Sequence, residues 1–142
     1  MMRGVPESVL AIAIVDDEEP VRKALSRLLR SSGYTVTTFS SGGEFLDGLE
    51  ACDPDCTILD LHLPGLSGLE VQQYMQREHI GIPCIIITGK DELASRQQAL
   101  SSGAAAYLTK PLDEDFLLTT ISSAVLRHPV NRRSPPGKVE EP

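Results

Sequence analysis

Two patterns of hydrophobic and polar positions alternate along this chain of 142 residues. Short continuous apolar runs, often rich in β-branched residues, predict strands that are covered on both faces. Apolar residues that recur every three to four positions predict amphipathic helices. The predicted strands cover residues 9–15, 34–39, 56–59, 83–88 and 104–109, and the predicted helices cover residues 19–31, 41–51, 68–78, 91–102 and 113–127. This order predicts an α/β fold, a doubly wound five-stranded parallel sheet flanked by five helices.

The five predicted helices differ in the strength of their apolar faces. The helix over 113–127 has a strong apolar face, formed by Leu117, Ile121, Ala124 and Val125. The helix over 91–102 has the weakest one, formed by Leu93, Ala94, Gln97 and Leu100. The aromatic residues expected in the core are Tyr34, Phe39, Phe45 and Phe116.

Composition indicates one globular domain, which we assign to residues 8–128. Hydrophobic residues make up 41% of the chain, whereas residues 129–142 hold few of them and contain four of its ten prolines. That segment is expected to be a disordered tail or the start of a linker. A net charge of −7 is a poor electrostatic match for nucleic acid, so DNA contact is expected only through an output domain outside this chain.

Hydropathy and cysteine content bear on the compartment. No apolar run approaches the ~20 residues that a membrane helix needs. The three cysteines form no zinc-binding pattern and no leader sequence is visible, which favours free thiols in a reducing compartment. We therefore expect a cytoplasmic protein without a membrane segment.

The chemistry-bearing residues follow the predicted strands. Asp16 and Asp17 follow the first strand, Asp60 the third, Thr88 ends the fourth and Lys110 follows the fifth. A doubly wound sheet brings the carboxyl ends of its strands to one edge, where its sites lie. Clustered carboxylates favour a cation, and Mg²⁺ prefers oxygen ligands. A free carboxylate, a metal, an ammonium and a hydroxyl together suit phosphoryl transfer.

Each of these signals is weak when it stands alone. An Asp pair after a strand is commonly a helix N-terminal cap, and a single Asp at a strand end is usually a turn residue. The order Asp, Asp, Thr, Lys at the ends of strands one, three, four and five is far more specific than any of its members.

The chain resembles the receiver domains of two-component response regulators over about residues 8–128. The matching segments are IVDDEEPVRKAL at 14–25, LDLHLPGLSGLEV at 59–71, IIITGKDE at 85–92 and AYLTKPL at 106–112. The second segment and the basic tail after residue 130 are most similar to receivers joined to helix-turn-helix transcription factors. The resemblance implies the flavodoxin-like receiver fold.

The resemblance also implies a phosphoacceptor and a metal site. Asp60 would accept a phosphoryl group from the phosphohistidine of a sensor histidine kinase. Asp17 and Asp60 would bind Mg²⁺, the backbone carbonyl of His62 would be a further ligand, and Asp16 would act through water. The side chain of His62 is expected to be solvated. The chain would then be a phosphoacceptor with self-catalysed phosphotransfer and dephosphorylation rather than an enzyme.

A switch is implied as well. Lys110 would pair with the phosphoryl oxygens, Thr88 would move to hydrogen-bond them, and Tyr107 would turn inward when Thr88 moves. The bond between Lys110 and Pro111 would be cis. The output surface would comprise helix 91–102, strand 104–109 and the last helix, and would control an output domain or a phosphorylation-dependent homodimer. The kinase is expected to dock near Arg22, Lys23 and Leu112.

Three other functions are less consistent with the residues. A flavin or nucleotide module would need a Gly- or Ser/Thr-rich phosphate loop after the first strand, where this chain has four acidic residues. A hydrolase that forms an aspartyl-phosphate usually has a second Asp two residues after the nucleophile, and here that residue is His62. A pseudo-receiver that only docks partners remains the main alternative.

Overall fold

The computed structural model of this chain describes residues 9–127. The expected domain limits at residues 8 and 128, and the expected tail 129–142, lie outside these residues. The strands are β1 (Ala11–Val15), β2 (Thr35–Phe39), β3 (Cys56–Asp60), β4 (Cys84–Thr88) and β5 (Ala106–Thr109). The helices are α1 (Glu19–Ser31), α2 (Gly42–Cys52), α3 (Gly68–Arg77), α4 (Leu93–Ser101) and α5 (Glu114–Arg127). The predicted α/β fold is confirmed element by element.

All five strands are parallel and lie in the order β2-β1-β3-β4-β5. The strand order changes direction between β1 and β3, which is where doubly wound sheets place their sites. In this register Val15 of β1 pairs with Leu59 of β3, and Asp60 of β3 pairs with Ile87 of β4. The residues that follow β1 therefore lie beside the end of β3.

The core consists of two apolar layers, one on each face of the sheet. Successive side chains of a strand point to opposite faces, so Ala13 and Val15 pack on one layer and Ile12 and Ile14 on the other. The first layer includes residues of α2, α3 and α4, and the second includes residues of α1 and α5. Every residue of β3 and β4 is buried, as expected for central strands covered on both faces.

Two expectations about burial were wrong. The predicted apolar face of α4 lies in solvent, with Leu93 69% and Leu100 46% exposed, and the buried residue of this helix is Ala99. Phe116, which was expected in the core, is 57% exposed near the start of α5. Both errors have one cause, because an amphipathic pattern identifies a helical face but not the neighbour that covers it.

Within residues 9–127, no helix combines the length and the apolar character needed to cross a membrane.

Candidate functional site

Three carboxylates meet where β1 and β3 end. Asp16 and Asp17 directly follow β1, and Asp60 is the last residue of β3. One carboxylate oxygen from each lies within 4.8 Å of the others. Asp16 and Asp60 are buried at 0% and 4% exposure, whereas Asp17 is exposed. The cluster therefore has a buried inner part and an outer member that solvent reaches.

Lys110 supplies the positive charge of the site. Its Nζ lies 3.1 Å from Asp16 Oδ2 and 3.4 Å from Asp60 Oδ2. It also lies 3.4 Å from Glu18 Oε1 at the rim. The Lys110 N–H donates to the Thr88 carbonyl at 2.7 Å, which ties the lysine to the end of β4. The peptide bond to Pro111 is cis, as the resemblance implied.

Burial and charge act in opposite directions on these groups. Burial raises the pKa of Asp60, and the neighbouring charge of Asp16 adds to that effect; the His62 N–H and the Lys110 ammonium oppose it. Burial lowers the pKa of Lys110, but its hydrogen bond with Asp16 and the charge of Asp60 outweigh burial, so its pKa is raised. The three carboxylates of the site therefore share one ammonium, which leaves an excess of negative charge there.

The donor set fits a hard divalent cation. Three carboxylates face a single ammonium, so a cation would relieve the remaining repulsion. All of the side-chain ligand atoms in the cluster are carboxylate oxygens, which Mg²⁺ prefers. The exposed position of Asp17 leaves room for the waters that Mg²⁺ retains. The side chain of His62 is exposed, while its N–H donates to Asp60 Oδ1 at 3.1 Å.

Thr88 is buried at the end of β4, and its hydroxyl is engaged in a local turn. Its Oγ1 donates to the Lys90 carbonyl at 3.1 Å and accepts from the Lys90 N–H at 3.0 Å. The hydroxyl is thus linked to the backbone that leads into α4.

Tyr107 lies inside the protein, at 6% exposure, with its hydroxyl group buried and without a hydrogen-bond partner among the described residues. The guanidinium of Arg96 in α4 lies 4.8 Å from the centroid of the Tyr107 ring. Both carboxylate oxygens of Asp91 accept from Arg96 Nη2, at 3.2 and 3.0 Å. Tyr107 is therefore already inward, covered by a side chain of α4.

The loop from β3 to α3 packs tightly against the site. A Cβ on Gly68 would overlap the carbonyl oxygen of Asp60 and lie 2.8 Å from Leu61 Cα, so this position requires glycine. The Gly68 N–H donates to the Leu61 carbonyl at 2.9 Å. Ser67 and Glu70 form a capping box that begins α3 directly after the loop.

Each site residue that was predicted from the sequence lies at this edge of the sheet or, for Tyr107, on the adjoining strand β5. Sequence reasoning missed the contact of Glu18 with Lys110 and the hydrogen bond from Arg22 Nη1 to the Asp16 carbonyl, at 2.8 Å. The acidic run after β1 was a signal for Glu18. No sequence signal pointed to Arg96 as the cover of Tyr107.

Comparison with known proteins identifies the same domain type. The family model for the response regulator receiver domain matches residues 12–122. The response regulator protein TodT of Pseudomonas putida is 36% identical over 135 residues, which are 95% of this chain and 60% of that protein. The transcriptional regulatory protein FixJ of Azorhizobium caulinodans is 33% identical over 87% of this chain and 58% of that protein. The chain thus spans about 60% of the length of these relatives.

Solved structures agree with the sequence comparison. The crystal structure of FixJ-N superposes with a TM-score of 0.77 at 32% identity, covering 82% of this chain and 94% of that one.

Proposed function

Because this chain belongs to the family of response regulator receiver domains, we propose that Asp60 accepts a phosphoryl group from a sensor histidine kinase of a two-component system in a Mg²⁺-dependent reaction. The arrangement of Asp16, Asp17 and Lys110 around Asp60 is the observation that carries this assignment. We assign Asp60 as the acceptor because it is the last residue of the central strand β3, and its largely buried carboxylate accepts a hydrogen bond from the His62 N–H.

In the proposed step, an Asp60 carboxylate oxygen attacks the phosphorus of a phosphohistidine. A P–O bond forms, the P–N bond breaks, and its electron pair returns to the imidazole nitrogen. Lys110 offers its ammonium to the equatorial phosphoryl oxygens, where negative charge resides in the transition state. Water attack on the same phosphorus later returns Asp60 and inorganic phosphate, so the domain limits its own signal without being a classical enzyme.

The metal site that we propose consists of Asp17 and Asp60 as direct ligands, the His62 carbonyl as a third protein ligand, and Asp16 acting through water. A bound Mg²⁺ ion supplies the positive charge that neutralises both the carboxylates and the incoming phosphoryl group. The depth of Asp16 and its ion pair with Lys110 support its indirect role, and the exposure of Asp17 supports direct coordination.

We assign the switch to Thr88 and Tyr107. A phosphoryl group on Asp60 adds acceptor oxygens beside a hydroxyl that is otherwise paired with Lys90. The Thr88 hydroxyl exchanges this local pairing for the phosphoryl oxygen, and the start of α4 follows. Because the Tyr107 ring packs under Arg96 of α4, the position of the ring changes with that of α4 at the output surface.

The kinase docks, in this proposal, beside the active site. A groove of about 320 Å³ is lined by Val21 and Ala24 of α1, Leu112 of the loop after β5, and the stem of Lys110. Arg22 and Lys23 lie next to Val21 on α1, and their side chains line a neighbouring groove together with Ser26. The mainly apolar lining of the first groove fits a partly apolar partner surface. Charge reversal at Lys23, which within residues 9–127 pairs only with the exposed Glu19, should slow transfer from the kinase while leaving acetyl phosphate labelling unchanged.

The output surface comprises α4, β5 and α5, and we propose that phosphorylation changes it to promote homodimerisation or to release an output domain. Large apolar side chains in solvent support the choice of this surface, namely Leu93, Leu100 and Phe116. Relatives named as transcriptional regulators, one of them as DNA-binding, support an output domain that binds DNA outside this chain. For such a regulator we propose a cytoplasmic site of action. Sedimentation with and without beryllofluoride should show a rise in mass, and an unchanged mass would exclude dimerisation.

Intact mass spectrometry after incubation with acetyl phosphate and Mg²⁺ tests the proposed chemistry. We expect one phosphoryl adduct on the unmodified chain, none on Asp60→Asn, and none when EDTA is added first. An absent adduct together with kinase binding would favour the pseudo-receiver that docks partners without phosphorylation.

A further inference from the structure

The α4 helix is attached to the rest of the domain unequally along its length. Ala99, near its C-terminal end, is its buried residue, and the Gly103 and Ala104 N–H groups close the helix on the carbonyls of Leu100 and Ala99. Toward the N-terminal end, residues 91–94 are all exposed, and Glu92 provides no side-chain cap. The C-terminal end is therefore the fixed part of this helix.

One buried side chain of the neighbouring helix adds to this attachment. Gln72 of α3 is 5% exposed, and its Nε2 donates to the Ser102 carbonyl at 2.9 Å. The last carbonyls of a helix have no partner within the helix, so this amide satisfies a group that would otherwise need water. The donor is itself held firmly, because Val71 and Met75 of the same helix are 0% and 2% exposed.

We propose that Gln72 is a positioning residue that anchors the C-terminal end of α4, so that the switching motion is a swing of the N-terminal half about this anchor. The free half is the one connected to the active site, since Thr88 hydrogen-bonds Lys90 two residues before Glu92. It also carries Arg96, whose guanidinium covers Tyr107. A swing about a fixed end therefore moves the residues that contact the switch and leaves Ser102 in place.

A swing about one end differs measurably from a shift of the whole helix. The swing itself rests on the proposed phosphorylation of Asp60, whereas the anchor exists in the unphosphorylated protein. The anchor and the swing can therefore be measured separately.

The anchor is tested first without any activator, by amide hydrogen exchange of the full chain. In Gln72→Leu, the amides of Ser102, Gly103 and Ala104 should exchange at least several-fold faster. Gln73→Leu is the matched control, because Gln73 is the next residue of α3, is not buried, and has no side-chain hydrogen bond among the described residues. Equal protection of these amides in both variants, each verified as folded by its melting curve, would overturn the anchor.

The swing is tested by pulsed electron resonance distances between nitroxide labels, in a Cys52→Ser background. The reference label is at Arg27→Cys on α1, and the second label is at Ala94→Cys or at Ser101→Cys, all exposed positions. On adding beryllofluoride and Mg²⁺, the 27–94 distance should change by about 1–2 Å or more while the 27–101 distance stays constant. With Gln72→Leu added, the 27–101 distance should change or broaden too.

Equal changes of both distances in the chain with native Gln72 would contradict the swing. A constant and narrow 27–101 distance in Gln72→Leu would contradict the role of Gln72. If neither distance changes and mass spectrometry finds no phosphoryl adduct on Asp60, the proposed function fails, and the hydrogen exchange result still decides the anchor.

Discussion

The guanidinium of Arg96 lies over the ring of Tyr107, 4.8 Å from its centroid. The side chain of Arg96 is 39% exposed, so this contact forms a partly solvated cover over a buried ring. A cation over an aromatic ring at such a position contributes about 0.5–1 kcal/mol.

Replacing this cover should release the aromatic residue. In Arg96→Ala we expect Tyr107 to sample outward positions, because its hydroxyl is buried, has no hydrogen-bond partner within residues 9–127, and gains hydrogen bonds from water there. In this variant, the fluorine resonance of 3-fluorotyrosine at position 107 should differ between ordinary and heavy water, because solvent then reaches the ring. Arg27→Ala, on the opposite face of the sheet, is the control, and the same Tyr107 signal in both variants would refute the role of Arg96.

Lys110 serves both charge balance and chemistry, and a neutral substitution separates the two. In Lys110→Met, the carboxylates lose the ammonium that lies 3.1 Å from Asp16 and 3.4 Å from Asp60. Mg²⁺ should then bind more tightly, because a competing positive charge is gone. Labelling by acetyl phosphate should nevertheless fall by on the order of 10²-fold, since a donor to the transition state is lost.

Titration of Mg²⁺ by calorimetry, beside the rate of phosphoryl incorporation, measures both effects. Weaker Mg²⁺ binding in Lys110→Met would show that this lysine supports the metal site rather than opposing it. Lys110→Arg keeps the charge, and it should restore the Mg²⁺ affinity of the unmodified chain more fully than the rate, because a guanidinium fork does not match an ammonium.

Thr88 is expected to separate phosphorylation from its consequence. Thr88→Val keeps the shape of the side chain but removes the hydroxyl paired with Lys90, at a cost of about 0.5–1.5 kcal/mol. The phosphoryl adduct should still form, while the change in amide exchange of α4 on phosphorylation should be lost. Thr88→Ser retains the hydroxyl and should retain the response. A full α4 response in Thr88→Val would remove this residue from the switch.

Gly68 should be intolerant of any side chain. A Cβ there would meet backbone atoms of Asp60 and Leu61, which cannot rotate away as a side chain can. We expect Gly68→Ala to lower the free energy of unfolding by about 1–3 kcal/mol and to slow phosphorylation, because the backbone that positions Asp60 must move. Gly43→Ala in α2 is the control, since a Cβ there meets open space. Equal denaturation midpoints would contradict the predicted clash.

Much of this molecule could be predicted from its sequence because the strong signals are local. The buried runs that form β3 and β4 read as strands, and Asp60 and Thr88 were found because parallel strands end at one edge. The exposure of Leu93 and Leu100 in α4, and of Phe116 in α5, could not be predicted, because it depends on which neighbouring element covers each helix. The hydrogen bond between Gln72 and Ser102 joins residues that are 30 positions apart, so no local sequence pattern could predict it.

The central claim is that Asp60, and no other carboxylate of the cluster, carries the phosphoryl group. Reduction of the acetyl phosphate-treated chain with borohydride converts an aspartyl-phosphate to homoserine, and peptide sequencing by mass spectrometry then locates it. We predict homoserine at position 60 in Mg²⁺-containing samples only, with Asp16 and Asp17 unchanged. Homoserine at either of those positions, or at position 60 without a divalent cation, would contradict this account.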